Sequence, residues 1–236
     1  MKIVVVGHGM VGHKFLESLH EAGVKDAEVT VLCEEPRAAY DRVHLSEFFS
    51  GKTAEDLSLV EPGFFAASGY TLRLKARAAK IERRDNTVTT ADGEVLPYDK
   101  LVLATGSYPF VPAGPGRDRP DIFVYRTIED LEAMKARGAR SKSGVVVGGG
   151  LLGLECAKAL RDMGLETHVV EFAPRLMAVQ VDEAGGQVLR PKIEQLGVHV
   201  HTSRNTVKIT DGAGAYHRMV FADGTWLETD MIVFSA

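Results

Sequence analysis

Residues 4–12 read Val4-Val5-Val6-Gly7-His8-Gly9-Met10-Val11-Gly12, and residues 145–153 repeat the pattern as Val145-Val146-Val147-Gly148-Gly149-Gly150-Leu151-Leu152-Gly153. Three β-branched valines in a row are typical of a buried parallel strand. When such a strand turns sharply into a helix, one glycine makes the turn, a second lets a ligand approach the backbone, and a third lets the helix pack closely. Each copy is therefore predicted to be a strand, a glycine loop and a helix that together bind the pyrophosphate of a dinucleotide.

An acidic residue follows the second strand of each copy at the spacing expected for binding an adenosine ribose. Glu171 lies 18 residues after the third glycine of the second loop, and Glu34 and Glu35 lie 22 and 23 residues after that of the first. The expected separation is about 20 residues. A carboxylate accepts hydrogen bonds from the ribose hydroxyls and repels a 2′-phosphate, so Glu171 favours NADH over NADPH. Arg175, four residues later, could instead attract the 2′-phosphate of NADPH.

The repeat extends to a second pair of segments, residues 91–105 and 222–236. Both contain an Asp-Gly turn, a strand, and an acidic residue that leads into an apolar strand, as in an antiparallel meander. The fold class is thus predicted as α/β, with two Rossmann-like three-layer lobes that each carry a parallel sheet and a β-meander. The Pro- and Gly-rich residues 108–116 place the lobe boundary near residue 112, giving lobes 1–112 and 113–236. Because Ala236 aligns with Thr105, just before the counterpart of Gly106, we expect the sequence to be a piece of a longer protein.

Composition argues against several classes of protein. The 236 residues are 45% hydrophobic and 25% charged, which is ordinary for a globular protein, and the net charge of −4 is too mild to suggest nucleic acid or an acidic membrane as a partner. The apolar run at the start ends at Gly7 and no segment has the ~20 apolar residues of a membrane span. A cytoplasmic protein is the default interpretation.

Cysteines and histidines offer weaker candidates. Cys33 and Cys156 are the two cysteines, and without a C-x-x-C pair they are interpreted as packing residues. His199 and His201 would share one strand face, but no third ligand lies nearby in sequence, so they are interpreted as surface histidines and no metal is predicted. His44 lies in the loop after the second strand, where it could tune a bound cofactor.

The sequence resembles the two-dinucleotide flavoprotein reductases, the family that contains rubredoxin, putidaredoxin and dioxygenase ferredoxin reductases. Within it, the chain is most similar to the N-terminal region of the large subunit of assimilatory NADH-dependent nitrite reductases. The similarity covers essentially all of the residues. The runs that carry it are 11–13, 33–36, 39–46, 104–109, 123–127 and 147–155.

The resemblance implies that the first lobe holds FAD and the second holds NADH. It assigns the glycine loops to the two pyrophosphates, Glu34 and Glu35 to the FAD ribose, Arg42 to the flavin or the FAD pyrophosphate, Thr105 and Gly106 to a turn that passes close to FAD, and Ala78 to the adenine. The loop residues are Gly7, Gly9, Met10, Val11 and Gly12 for FAD, and Gly148, Gly150, Leu151, Leu152 and Gly153 for NADH. A family lysine near the flavin corresponds to Glu47 here, so that contact is not predicted.

The resemblance also implies an activity. NADH would pass hydride to FAD, a step for which no catalytic side chain is predicted. The electrons would continue to an iron–sulfur and sirohaem part of the intact protein, which reduces nitrite, or to a small iron–sulfur protein. Two alternatives stay open at this point, a freestanding ferredoxin or rubredoxin reductase and a non-catalytic nucleotide-binding fragment. The segment that in this family returns to the first lobe and covers the flavin is not in the sequence.

Overall fold

The structure, a computed structural model, describes residues 1–24 and 26–235. The chain divides into two compact units, one made of Met1–Leu45 and Lys52–Ser107 and the other of Ser46–Gly51 and the residues from Tyr108 onward. The lobe limits predicted from the sequence, 1–112 and 113–236, stay a prediction. The predicted pairing of Ala236 with Thr105 lies outside the described residues.

The first unit is built on a four-stranded parallel sheet. In chain order its elements are β1 (Lys2–Val6), α1 (Met10–Glu21), β2 (Glu28–Leu32), α2 (Phe64–Ser68), β3 (Thr71–Arg73), β4 (Ala78–Glu82), β5 (Thr87–Thr90), β6 (Val95–Pro97) and β7 (Lys100–Leu103). The parallel sheet has the strand order β3-β2-β1-β7, and strands β4, β5 and β6 form the antiparallel meander. The sequence predicts β1, α1, β2 and the strands around the Asp-Gly turn, but not α2 or β3. A 3-10 helix covers Leu45–Ser50, of which residues 46–50 belong to the second unit.

Alternation along β1 explains the layers of this unit. Ile3 and Val5 point to one face and pack with Leu16 of α1, whereas Val4 and Val6 point to the other and pack with Val88 of the meander. All six side chains are buried. The strand is therefore apolar on both faces because a helix covers one side and a meander covers the other.

The second unit repeats this plan around a five-stranded parallel sheet. Its elements are β8 (Ile122–Val124), α3 (Ile128–Gly138), β9 (Ser143–Val147), α4 (Leu151–Asp162), β10 (Glu166–Val170), α5 (Glu183–Gln195), β11 (Val198–His201), β12 (Thr206–Asp211), β13 (His217–Phe221), β14 (Trp226–Thr229) and β15 (Met231–Phe234). The parallel sheet has the strand order β11-β10-β9-β15-β8, and strands β12, β13 and β14 form the meander. Val145 and Phe234 of the sheet pack with Met219 of the meander, and α4 packs on β9 and β10. The predicted α/β fold, with parallel sheets and a meander in each half, is confirmed.

Candidate functional site: two glycine loops

The first glycine loop joins β1 to α1. Gly7 has φ +103°, and its N–H donates to the carbonyl of Leu32 at the end of β2 (2.9 Å). A Cβ at Gly7 would lie 2.2 Å from the Ala104 carbonyl oxygen, and a Cβ at Gly12 would lie 2.2 Å from the Gly7 carbonyl oxygen. Neither position tolerates a side chain, because in each case the obstacle is backbone.

The middle glycine of this loop has a different environment. A Cβ added at Gly9 would meet no atom within 4 Å, so space lies open in front of it. Gly9 is also the N-cap of α1, where no side chain accepts a hydrogen bond from the first turn and no acidic residue lies in that turn. Met10 and Val11 are exposed there. The helix N-terminus thus presents its N–H groups and positive dipole end to open space, which suits the phosphates of a nucleotide.

The second glycine loop, between β9 and α4, reproduces this geometry. Gly148 has φ +123° and donates to the Val170 carbonyl (2.9 Å). A Cβ at Gly153 would lie 1.9 Å from the Gly148 carbonyl oxygen, while one at Gly150 would meet nothing within 4 Å. Gly150 caps α4 without a side-chain partner, and the next two residues, Leu151 and Leu152, are exposed. Both loops therefore fit a pyrophosphate.

Glu171 follows β10 and is hydrogen-bonded to the second loop. Its Oε2 accepts from the Gly149 N–H, and its Oε1 accepts from the Ala173 N–H (2.7 Å). The carboxylate therefore stands beside the glycine loop at the carboxyl end of the sheet, where the ribose acid of a dinucleotide site belongs. Arg175 is committed elsewhere, because its guanidinium donates to the carbonyls of Val181 and Ala178 (3.1 Å each).

The acids of the first loop are held by basic and phenolic partners. Glu35 accepts a hydrogen bond from the Tyr40 hydroxyl (2.7 Å) and one from the Arg42 guanidinium, which also lies over the Tyr40 ring. Glu34 is more exposed and lies 3.7 Å from the Arg77 guanidinium. The structure thus brings Glu35 and Arg42 together as a pair. Tyr40, which organises this pair, was not among the predicted residues.

The remaining predicted FAD residues lie near the carboxyl end of the first sheet or in the meander. Thr105 and Gly106 follow β7 and are exposed, and Gly106 has φ +66°. The preceding Ala104 donates its N–H to the Val6 carbonyl (2.8 Å), which places this turn beside the first glycine loop. Ala78 begins β4 and packs on the cluster around Val88. No contact among the described residues tests the predicted roles of these three residues.

His8 is a further residue of the first loop that sequence reasoning did not place in the site. Its ring is buried, and its Nδ1 accepts a hydrogen bond from the Ala39 N–H (3.1 Å). The proton of the neutral ring must then sit on Nε2. Burial, and secondarily the neighbouring His13, lowers the pKa of His8 to about 4, so the ring stays neutral near pH 7. The bond ties the glycine loop to the segment that carries Tyr40 and Arg42.

The two cysteines are buried thiols, and His44 is an exposed ring beside an acid. Both thiols are free and buried, and burial raises the pKa of Cys33 and of Cys156. A thiol rather than a thiolate is a poor nucleophile, which agrees with their interpretation as packing residues. The exposed His44 ring lies 2.7 Å from the Asp41 carboxylate, measured from Nδ1 to Oδ2.

Two strand–glycine loop–helix units, the second with an acid hydrogen-bonded to its loop, define a protein with two dinucleotide-type sites. The whole chain, residues 1–236, matches the family described as pyridine nucleotide-disulphide oxidoreductase, and the chain belongs to that family. The family predicted from the sequence is thereby confirmed. Among the described residues, no helix combines the length and the apolar character needed to cross a membrane.

Two relatives and one solved structure show which members of this family the chain resembles. The chain is 53% identical over 237 residues to the nitrite reductase (NADH) large subunit of Escherichia coli (strain K12), with 100% of this chain and 28% of that protein covered. It is 30% identical to the rubredoxin-NAD(+) reductase of Pseudomonas putida, with 99% of this chain and 61% of that protein covered. A solved ferredoxin reductase for the CYP199A2 system from Rhodopseudomonas palustris is 27% identical and superposes with a TM-score of 0.92, covering 100% of this chain and 58% of that one. The chain thus spans about a quarter of the nitrite reductase subunit.

Proposed function

We propose that this chain is the nucleotide- and flavin-binding module of an NADH-dependent flavoprotein reductase. The single observation that carries the proposal is the pair of glycine loops, each with an open middle glycine and an uncapped helix N-terminus. When bound, NADH would supply a hydride and FAD would accept it, so the protein would have to bind and orient the two groups and would need no acid or base of its own. The FAD would be held at the first loop and NADH at the second.

Glu171 supports the choice of NADH over NADPH. Its two carboxylate oxygens already accept hydrogen bonds from Gly149 and Ala173, which fixes the side chain beside the loop. A fixed carboxylate can accept from the ribose hydroxyls and would repel a 2′-phosphate. Arg175 is the residue that could attract such a phosphate, but its guanidinium donates hydrogen bonds to the carbonyls of Val181 and Ala178.

For the destination of the electrons, we propose a nitrite-reducing centre carried by the intact protein. The support is the identity of 53% and 54% with two nitrite reductase large subunits, together with 31% identity to a protein named the assimilatory nitrate reductase electron transfer subunit of Bacillus subtilis (strain 168). The iron–sulfur and sirohaem part of such a protein needs clustered cysteines. This sequence contains two cysteines, Cys33 and Cys156, which are far apart in sequence, so the nitrite-reducing centre would lie outside these 236 residues. The cytoplasmic location stays a prediction.

A freestanding ferredoxin or rubredoxin reductase is the second candidate, supported by the 30% identity to the rubredoxin-NAD(+) reductase of Pseudomonas putida. NADH-driven assays of the full-length gene product, with nitrite in one arm and rubredoxin or ferredoxin in the other, separate the two candidates. Nitrite consumption supports our proposal, and turnover with the iron–sulfur protein alone supports the second candidate.

The module itself is tested by incubating this chain with FAD, removing unbound FAD and recording the absorbance before and after anaerobic addition of NADH. We expect a yellow protein whose flavin band bleaches. A protein that stays yellow with NADH would be a binding module without turnover. A colourless protein whose NADH binding is intact would refute the assignment of FAD to the first loop of this chain.

A further inference from the structure

Three histidines and a glutamate lie together on two neighbouring strands of the second unit, apart from the glycine loop. The parallel register of β10 and β11 places His168 directly beside His199. Glu166 and His201 lie two residues away along β10 and β11, so all four side chains leave the same face of the sheet. Because β11 is the edge strand, this cluster is accessible from solvent.

The distances within the cluster are close to, and partly longer than, those between the ligands of a bound metal ion. Glu166 Oε1 lies 3.5 Å from His168 Nε2 and 3.8 Å from His199 Nε2, and one ligand atom of each of the three residues lies within 4.8 Å of the others. A tetrahedral zinc ion with ligand bonds of about 2.0–2.2 Å separates neighbouring ligand atoms by roughly 3.3–3.6 Å. Without an ion, the His168 and His199 rings are stacked with their centroids 4.7 Å apart. The exposed Glu166 and His199 side chains therefore have to rotate for all three ligand atoms to reach one ion.

His201 contributes a supporting contact. Its Nε2 lies 3.1 Å from His168 Nδ1, so one of the two rings donates a hydrogen bond to the other. When His168 donates from Nδ1, its Nε2 carries a lone pair that points towards Glu166. Metal-binding histidines almost always donate their second ring N–H to a neighbouring acceptor in this way. The buried His168, with 10% of its side chain exposed, is thus the fixed member of the cluster.

We propose that Glu166, His168 and His199 bind a divalent transition-metal ion of the zinc class, with His201 as the residue that positions His168. Two imidazoles and one carboxylate suit Zn²⁺ and leave its fourth position for water. The ion would join the edge strand β11 to β10. The cluster is separate from the nucleotide loop, since Glu166 and Glu171 lie at opposite ends of β10, roughly 16 Å apart at about 3.3 Å per residue. The inference does not depend on the proposed function.

The test is calorimetric titration of Zn²⁺ into the full chain, purified without a histidine tag and stripped of metal. We expect one Zn²⁺ per chain, with at least tenfold weaker binding for His199→Ala and Glu166→Gln and an intermediate loss for His201→Ala. The exposed His20, on α1 of the first unit, provides the matched control, and His20→Ala should bind as the wild type does. Absence of stoichiometric binding, or equal affinity in His199→Ala, overturns the proposal.

Thermal unfolding with and without Zn²⁺ provides a second readout. The ion should raise the melting temperature of the wild type and of His20→Ala but not that of His199→Ala, because it binds only the folded register of the two strands. Without metal, wild type and His199→Ala should melt within a few degrees of each other, since the His199 side chain is 58% exposed. Zn²⁺ that stabilises His199→Ala as much as the wild type contradicts the assignment.

Discussion

The two glycine loops share one backbone design but are anchored by different side chains. In the first loop, buried His8 stands between the glycines, and its ring accepts a hydrogen bond from Ala39. In the second loop, Gly149 takes that place, and its N–H donates to Glu171. A Cβ at Gly149 would lie 2.7 Å from the Leu176 side chain and 3.0 Å from Glu171, so a histidine would not fit there. Both loops are hydrogen-bonded to the segment that follows the second strand. In the first unit the bond is made by the His8 ring of the loop, and in the second by Glu171 of the segment.

This difference separates two functions. At the first loop, the anchoring residue is His8, and the acid Glu35 is occupied by Tyr40 and Arg42. At the second loop, the anchoring residue is itself the predicted ribose ligand. Changes to Glu171 should therefore disturb both loop structure and nucleotide selectivity, whereas the two properties can be changed independently at the first loop.

The largest effect is expected from Gly153→Ala. Its Cβ would lie 1.9 Å from the Gly148 carbonyl oxygen, so α4 must move away from β9, at a cost of about 3 kcal/mol or more in stability. Chemical denaturation and NADH titration measure the loss. Gly150→Ala is the matched control. Because its Cβ occupies only open space, it should cost no more than about 1 kcal/mol in stability, from the preference for glycine over alanine at an N-cap, while weakening NADH binding. Equal destabilisation by both substitutions would contradict this division between the glycines.

The next effect is a pH dependence that originates at His8. The unfolded chain protonates this residue near pH 6.5 and the folded chain only near 4, so the unfolded state gains protons first as the pH falls. Stability is therefore complete above about pH 6.5 and decreases from there towards pH 4, by about 2 to 3 kcal/mol at pH 4.5. His8→Asn keeps an oxygen that can accept from Ala39 but does not titrate in this range.

Urea unfolding at pH 7 and pH 4.5 compares this variant with the wild type. The variant should lose about 2 kcal/mol less between the two pH values, and other buried histidines cancel because both proteins contain them. An identical loss in both proteins would show that His8 is protonated normally in the fold.

Glu171→Gln should change nucleotide selectivity by a smaller amount. Removal of the charge weakens the hydrogen bonds to the ribose hydroxyls by about 1.5 kcal/mol, which corresponds to roughly a tenfold higher KM for NADH. The KM for NADPH should rise less or fall, because the repulsion of the 2′-phosphate is gone. Glu35→Gln, at the other loop, is the control and should leave the NADH/NADPH ratio unaltered. If the NADH/NADPH ratio of KM values is unchanged in Glu171→Gln, Glu171 does not bind the ribose.

The smallest effect is expected for Tyr40→Phe, which removes the hydrogen bond to Glu35 and leaves the Arg42 contact in place. About 1 kcal/mol, or roughly a fivefold loss of FAD affinity, should result. Quenching of flavin fluorescence measures the affinity. Tyr216→Phe, a change in the second unit, is the control. Stronger FAD binding by Tyr40→Phe would contradict this prediction. It would mean that Glu35 binds the ribose better without the hydrogen bond from Tyr40.

Local signals predicted most of the fold, and contacts distant in sequence explain what they missed. Three valines before each glycine loop were enough to place β1 and β9, and the Asp-Gly turns located both meanders. The role of His8 depends on an amide 31 residues later. His199 lacked a third ligand nearby in sequence, and the structure supplies Glu166 and His168 through the register of β10 and β11. Register is set by packing across the whole sheet and cannot be read from either strand alone.

The open space in front of Gly9 and Gly150 has a practical consequence for mutational scanning. A scan that measures only the amount of folded protein in cells should find that alanine is not tolerated at Gly12 and Gly153. The same scan should find that alanine is tolerated at Gly9 and Gly150. A second experiment that selects for turnover would penalise all four. The difference between the two maps, position by position, would trace the outline of each bound nucleotide without a crystal of the complex.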